Sequence, residues 1–387
     1  MNLLDRHIFK SVLFTCLAAV GLFSFVVALP NVVKDLLGPL LAEQITVPTF
    51  LRLIVLLFPY AISYALPMGI LTGVLLTLGR LSADHEITAM RAAGVSLLRV
   101  ARPVFVLGVV GAAAAFYVNF ESMPWARVQY HREFADAMRQ QPLNFIVPKT
   151  FIRDFKGMVI YVGEKPANKG NLLRDVWVWE LDDQRRVTRF IRAESARLEF
   201  DTATQSLTPR LFNARTEERN AEAPEDFSKS PYAPAVQEAG DDLLRLSLAQ
   251  YLGQSVYRMK PSWLTYAQLR EQLGTAAAQP AATATEAGQR TEKVMALSLV
   301  LHEKFNLSLA VFSFALLGVP LGIKVSRRET SANLGLALVL VLSYYVLTVV
   351  VKWLDRSPEL RPDLLLWVPN LLFIALGVAL FRRIERA

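Results

Sequence analysis

The sequence has one cysteine and four histidines among its 387 residues, and both shortages limit the chemistry it can support. A lone cysteine, Cys16, excludes an internal disulfide, so cysteine usage does not indicate the redox compartment. The four histidines form no H-x-x-x-H pair and no pair with the cysteine, which argues against a metal site. The phosphate-loop and nucleophile-elbow motifs are also missing. We therefore predict a non-catalytic protein without metal or other cofactor, in which another chain supplies any ATP hydrolysis.

Charged residues are missing from six long stretches, although they make up 20% of the chain. These stretches are residues 11–33, 53–79, 103–120, 305–323, 330–351 and 364–381. Each is close to the length of about 20 residues that a helix needs to cross a bilayer. Of the 42 basic and 34 acidic residues, 25 and 24 lie between positions 121 and 304. The pattern predicts a membrane α-helical protein with three spans in residues 1–120, an inserted polar domain at 121–304, and three spans in 305–387.

The positive-inside rule orients these spans. With a cytoplasmic N-terminus, the inner segments carry 12 basic and 5 acidic residues, whereas the two short outer loops carry five of each. We therefore expect both termini in the cytoplasm and residues 121–304 outside it. The net charge of +8 then follows mostly from topology, so nucleic-acid binding is not needed to explain it.

The first half of the inserted domain has the pattern of short strands. Residues 158–162 and 176–179 are rich in β-branched and aromatic side chains, and apolar and charged residues alternate over 196–200. Several short strands at this spacing indicate a sandwich or a jelly roll outside the cytoplasm.

The second half of the inserted domain is compositionally biased. Residues 215–240 are acidic and rich in proline and alanine, and residues 276–290 begin with a low-complexity alanine and threonine run. We predict both as mobile insertions, the second as a flexible tether. Between them, a helix is expected to start at Pro261-Ser262, with Ser262 as its N-cap, and to run to about Leu273.

The cytoplasmic loop at residues 80–102 carries the strongest functional signal. Residues 82–98 have the pattern of a short helix with Ser82 at its N-cap. Ile87, Met90 and Gly94 fall on one face, and Glu86 lies in the first turn, where the helix dipole favours an acid. One interpretation is an amphipathic helix on the membrane surface. The other is a coupling helix, in which an apolar knob and an acidic residue insert into a groove of a cytoplasmic ATPase.

Two lysines directly follow apolar spans. Lys34 ends the first stretch and Lys352 ends the fifth, so both ammonium groups are expected at the outer headgroup level. They are either ordinary cations at helix ends or binding groups for the phosphates of a lipid.

Small residues recur at a spacing of four in two spans. Gly69 and Gly73 lie near Pro67, and Gly318 and Gly322 lie near Pro320. This spacing predicts close packing between membrane helices.

The run from Glu86 to Ser96, EITAMRAAGVS, resembles the cytoplasmic loop of the lipopolysaccharide-export permeases LptF/LptG (formerly YjgP/YjgQ). The run from Glu303-Lys304-Phe305 to Gly322, entering the fourth span, and the opening Leu4-Asp5-Arg6-His7-Ile8 are similar to the same family. The three-plus-three layout with a strand-rich outer domain extends this resemblance to the whole chain.

The resemblance implies an ABC transporter permease in the inner membrane of a Gram-negative bacterium, with its large domain in the periplasm. Two such permeases, identical or paralogous, would form a cavity for lipopolysaccharide, and a cytoplasmic ATPase dimer would bind their coupling helices. The substrate would enter between the first and fifth helices and pass through β-jelly rolls to periplasmic bridge proteins. Glu86 matches the acidic position of the family's loop, and Lys34 matches a substrate-facing lysine; the role for Lys352 is inferred from its helix end alone.

Two other functions compete with transport driven by a separate ATPase. A six-helix envelope anchor whose outer domain scaffolds partner proteins would need no ATPase. A secondary carrier would place charged residues near the bilayer midplane, and the six stretches contain none. The sequence leaves open which of the two paralogous permease roles the chain plays, whether it pairs with itself, and which glycolipid it carries.

Overall fold

A computed structural model describes residues 3–140, 148–153, 157–166, 172–182, 184–201, 206–218, 260–279, 283–324, 330–356 and 360–386. The chain divides into two compact units. The first, here called the membrane unit, consists of Met1–Val33, Ile54–Tyr130 and Met259–Ala387. The second, here called the sheet unit, consists of Lys34–Leu53 and His131–Arg258.

Six helical segments in the described part of the chain are long and apolar enough to cross a membrane, which confirms the predicted number. They are Leu3–Leu41, Val47–Ala83, Leu97–Ala137, Glu286–Lys324, Gly335–Lys352 and Pro362–Glu385. The strands lie between the third and fourth segments, so the fold class, a membrane helical protein with an inserted β domain, is also confirmed. Several helices run beyond the charge-free stretches because a helix continues past the bilayer wherever its backbone bonds remain satisfied.

The eleven α-helices of the described residues are numbered in chain order. They are α1 (Leu3–Asn31), α2 (Gly38–Leu41), α3 (Val47–Ala83), α4 (Glu86–Ala92), α5 (Leu97–Tyr117), α6 (Met123–Gln140), α7 (Tyr266–Ala278), α8 (Ala284–Lys324), α9 (Thr330–Lys352), α10 (Pro362–Leu365) and α11 (Val368–Glu385). Two π-helical turns, Val32–Leu37 and Val118–Ser122, continue α1 and α5. Such turns are rare and often mark functional positions.

The described strands form one five-stranded antiparallel sheet in the order β1-β2-β3-β4-β5. The strands are β1 (Thr150–Ile152), β2 (Met158–Glu164), β3 (Leu172–Leu181), β4 (Val187–Asp201) and β5 (Ser206–Glu218). The three stretches predicted as strands lie in β2, β3 and β4. Aliphatic side chains such as Val162, Val178 and Ile191 are buried on one face, where Ala135 of α6 packs with them.

The glycines predicted to pack helices lie at close helix contacts of the membrane unit. A Cβ atom at Gly69 would stand 2.6 Å from the backbone nitrogen of Val20, and the nearest atoms to a Cβ at Gly73 belong to Cys16. Gly318 and Gly322 approach α3, where added Cβ atoms would stand 3.0 Å from side-chain atoms of Val74 and Leu78. Since apolar lipid gives no hydrophobic drive for helix association, such close backbone approach supplies the packing contacts.

Two expectations for the second half of the inserted domain are wrong. The helix there is α7, and its N-cap is Thr265, which forms a capping box with Gln268, rather than Ser262. Residues 276–278 and 284–290 are helical rather than a flexible tether, and Ala276 is buried beside Leu269. Alanine is the strongest helix former, so an alanine run that meets an apolar surface folds as helix. Of the predicted insertion 215–240, residues 215–218 belong to β5 and the others lie outside the described residues.

Candidate functional site

A helix lies within residues 82–98, the segment predicted as a coupling helix, but it is shorter than expected. It is α4, with Glu86 in its first turn, and its N-cap is His85 in a left-handed conformation with φ of 58°. Ser82 is therefore not the cap: α3 continues through it, and its hydroxyl donates to the Ile323 carbonyl at 2.9 Å. The cap of the following helix, α5, is Ser96, whose hydroxyl accepts from the Arg99 backbone.

The apolar face of α4 packs against the protein itself. Ile87 is 3% exposed and belongs to the same buried cluster as Leu81 and Leu97, and Met90 packs on that cluster. Ile87 is therefore not an exposed knob for a partner, because its apolar surface is already used to hold α4 on the membrane unit. The side chain of Glu86 is exposed, as are the small residues on the outer side of the helix.

Gly94 ends α4 by its backbone conformation. Its φ of 80° lies in the left-handed region that glycine adopts without cost. The Gly94 N–H donates to the Arg91 carbonyl, and the Val95 N–H donates to the Met90 carbonyl, which together make a Schellman motif. Gly94 thus sets where the loop leaves the helix.

Lys34 lies inside the π-helical turn Val32–Leu37 rather than directly after a regular helix. Pro30, inside the preceding helix, lacks the N–H that a regular α-helical bond there would use. The Lys34 side chain is exposed, and within the described residues it has no ion pair or hydrogen bond. An exposed lysine of this kind is available to an anion.

Lys352 is not an unpaired cation. At the end of α9, its ammonium group donates to Glu303 Oε1 of α8 at 2.5 Å. The two side chains are 42% and 26% exposed, so solvent or a ligand reaches the pair. Nothing in the sequence pattern indicates Glu303 as its partner, because Glu303 lies 49 residues away along the chain.

Asparagines inside the apolar spans form buried contacts that were not among the sequence predictions. The Ser63 hydroxyl donates to Asn119 Oδ1, and Asn119 Nδ2 donates to Ser308 Oγ at 3.0 Å, which links α3, the second π-helical turn and α8. A lone asparagine in a charge-free stretch was the available signal, because a polar group in lipid needs a partner.

A second buried pair links α8 to α11. Asn370 Nδ2 donates to Asn306 Oδ1 at 2.9 Å, and the Ser313 hydroxyl donates to Asn370 Oδ1 at 3.2 Å. Asn370 is fully buried. These bonds fix the register of the two helices.

The sheet carries aromatic side chains on the face opposite its aliphatic core. The five rings have neighbouring centroids 5.1 to 6.1 Å apart. They belong to Phe151, Tyr161, Trp177, Trp179 and Phe190. The strand register creates this row, because it places Tyr161 opposite Trp177 and Trp179 opposite Phe190. We call it the aromatic face.

A cavity of about 720 Å³ opens at one end of the aromatic face. Phe151 and Trp179 line it together with Arg153, Asp182 and Arg185. Its size lies within the usual range for ligand sites, about 300–1,000 Å³. The Asp182 carboxylate there accepts from the Arg186 backbone N–H and guanidinium, and these bonds lower the pKa of the carboxyl.

Comparison with known proteins matches nearly the whole chain. The family model of the lipopolysaccharide export system permeases LptF/LptG matches residues 6–383. Similar relatives include the lipopolysaccharide export system permease protein LptF of Escherichia coli K12, of Escherichia coli O157:H7 and of Shigella flexneri. Each is 21% identical over 347 residues, which cover 89% of this chain and 85% of the relative.

Proposed function

The chain belongs to the LptF/LptG family of lipopolysaccharide export system permeases, and from this membership we propose that it is the membrane-spanning subunit of an ABC transporter. In this proposal it extracts lipopolysaccharide from the outer leaflet of the bacterial inner membrane and passes it to a periplasmic bridge protein. Both termini face the cytoplasm, and the sheet unit lies in the periplasm. ATP hydrolysis takes place on a separate partner chain.

The geometry of α4 supports the proposal that ATP hydrolysis is coupled to the membrane unit. Ile87 and Met90 anchor the helix to the membrane unit, while Glu86 and small side chains face outward. A helix anchored in this way transmits force from a bound partner to the membrane unit through its own core contacts. We propose that a cytoplasmic ATPase dimer docks on the exposed side, with Glu86 as its charged contact and Gly94 setting the exit of the loop.

The proposal that the chain binds lipopolysaccharide rests on two lysines at span ends and on the aromatic face of the sheet unit. Lys34 is an exposed cation with no described partner, suited to a lipid phosphate. Lys352 is a second cation for the same chemistry once its ion pair opens. The aromatic face and its cavity offer apolar contact area for acyl chains in the sheet unit.

The transporter needs a second permease of the same family, either a second copy or a paralogue. We propose that the two membrane units enclose the glycolipid and that each sheet unit contacts a periplasmic jelly-roll protein through a strand edge. In the described sheet, β1 and β5 are the two edge strands.

Purification of the tagged full-length chain from its native membranes tests the proposal. We expect a nucleotide-binding subunit and a second permease to co-purify, ATP to be hydrolysed by the complex, and lipopolysaccharide to accumulate in the inner membrane when the chain is depleted. A chain that purifies without any ATPase and whose depletion leaves lipopolysaccharide export unchanged would instead be a six-helix envelope anchor.

A further inference from the structure

The fifth span is attached to the rest of the membrane unit mainly through one side. In its most apolar part 17% of the residues are buried, against 72% in the corresponding part of the fourth span. Polar contacts hold the half of α9 that ends at Lys352. The Tyr345 hydroxyl donates to the Tyr64 carbonyl of α3 at 3.2 Å, and the Tyr344 hydroxyl donates to the Asn306 carbonyl of α8 at 3.4 Å.

The ion pair between Lys352 and Glu303 is the last of these contacts along α9. It borders a cavity of about 110 Å³, which is also lined by Tyr64, Tyr345 and Thr348. The cavity gives an incoming anion room beside the lysine, and both partners of the pair are partly exposed. Opening the pair from this side requires no prior unfolding of the helices.

Competition at Lys352 favours a phosphate over the resident carboxylate. Partly exposed ion pairs are held weakly. A phosphate monoester carries up to two negative charges and three acceptor oxygens, whereas Glu303 offers one charge. A phosphate bound at Lys352 also repels Glu303, which leaves α8 and α9 without their charged contact at this end.

We propose that Glu303 is a built-in competitor for Lys352, so that a phosphate of an anionic glycolipid opens the ion pair and releases the outer end of α9. The inference rests on the proposed function, because it takes the transported glycolipid as the source of the phosphate. It assigns Glu303 a role in regulating substrate entry rather than in holding the substrate.

Binding of bisphosphorylated lipid A to the full-length chain in phosphatidylcholine nanodiscs tests this competition. We expect Glu303→Gln to bind lipid A about three- to fivefold tighter, because the competing ion pair is gone. We expect Lys352→Gln to bind about tenfold more weakly, because a charge-assisted contact is lost. Glu292→Gln and Lys293→Gln, which remove the same charges from exposed positions of α8, serve as controls and should bind like the wild type.

A second measurement follows the release of α9. Trp353, next to Lys352, is 77% exposed, whereas the natural cysteine Cys16 is 1% exposed. In the variant Trp353→Cys, a thiol-reactive fluorescent label therefore reacts at position 353 alone. In the otherwise wild-type chain, lipid A should increase the mobility of the label, whereas inorganic phosphate at the same concentration should not. With Glu303→Gln added, the mobility should already be high without ligand.

The outcomes separate this inference from the proposed function. If the wild type binds lipid A but Glu303→Gln weakens binding or leaves it unchanged, the pair is structural only and the competitor role is overturned. If inorganic phosphate mobilises the label as well as lipid A does, the lipid source is overturned. If neither the wild type nor any variant binds lipid A, the proposed function fails and this inference fails with it.

Discussion

Gly73 of α3 lies so close to Cys16 of α1 that a Cβ atom at position 73 would stand 2.5 Å from the Cys16 sulfur. One turn away, Gly69 meets Val20 of the same helix in the same way. The two helices therefore touch backbone to backbone, and the free thiol occupies the space that a larger residue at position 73 would need. Cys16 is in this sense a small packing residue of the membrane unit.

Adding a methyl group at this contact should destabilise the protein. Gly73→Ala is expected to cost about 1–3 kcal/mol, since both the sulfur and the Cys16 backbone stand in the way and must move. Thermal unfolding of the detergent-solubilised protein, followed by circular dichroism, measures the effect. Gly21→Ala is the matched control, because a Cβ there meets nothing within 4 Å. Equal stability of the two variants would contradict the close contact.

The docking role of α4 predicts a graded response at Glu86. Glu86→Ala should weaken co-purification of the ATPase, and Glu86→Lys should abolish it, since losing one partner of a desolvated charge pair costs about 2–5 kcal/mol and reversal adds repulsion. Quantitative pull-down from native membranes is the measurement. Glu385→Lys, the same charge change at another exposed position, should retain the ATPase. Wild-type recovery of the ATPase by Glu86→Lys would remove Glu86 from the interface.

The substrate role of Lys34 predicts that its charge matters more than its shape. Lys34→Asp should impair lipopolysaccharide export but leave expression, membrane insertion and basal ATP hydrolysis intact. Lys34→Arg should retain much of the export, because a phosphate accepts either cation. Growth of cells that depend on the variant and photocrosslinking from position 34 to lipopolysaccharide are the two readouts. Normal growth of Lys34→Asp together with no adduct would return Lys34 to an interfacial anchor.

The buried Asn119 predicts a loss of stability that does not depend on substrate. Asn119→Leu should destabilise the membrane unit by about 1 kcal/mol, because Ser63 loses its acceptor and Ser308 loses a donor inside the bundle. Chemical unfolding in detergent, with and without lipid A, checks this. Asn31→Leu should cost less, because among the described residues the Asn31 side chain donates only to the Val27 carbonyl of its own helix. An Asn119→Leu chain as stable as the wild type would contradict the role of this contact.

Sequence reasoning was sufficient for the six spans and for three of the five described strands, because both depend on local composition. A stretch without charges long enough to cross a bilayer has few alternatives, and the side-chain patterns that predicted β2, β3 and β4 are local too. The helix boundaries were less predictable. Both Ser82 and Ser262 have the residue type of an N-cap, yet neither caps a helix, because α3 continues through the first and a short turn occupies the second.

The features of the candidate site that the sequence did not predict depend on tertiary contacts. Lys352 ends a span as expected, but its neutralisation by Glu303 depends on how α8 and α9 pack. Ile87 has the spacing of an exposed apolar knob as well as that of a core residue, and only the position of α4 on the membrane unit decides between them. Periodicity shows that residues share a face and leaves open which surface that face meets.

The length of α8 has a mechanical consequence. At 1.5 Å per residue, its 41 residues make a rod of about 60 Å, roughly twice the hydrocarbon thickness of a bilayer. The Ser82 hydroxyl donates to the Ile323 carbonyl near one end of α8. Pro320, one turn before Ile323, lacks a backbone N–H and so weakens the helix at that point. A tilt of about 5° at Pro320 would displace the far end of α8 by about 5 Å, so a small movement beside Ser82 would be enlarged at the other end of the helix.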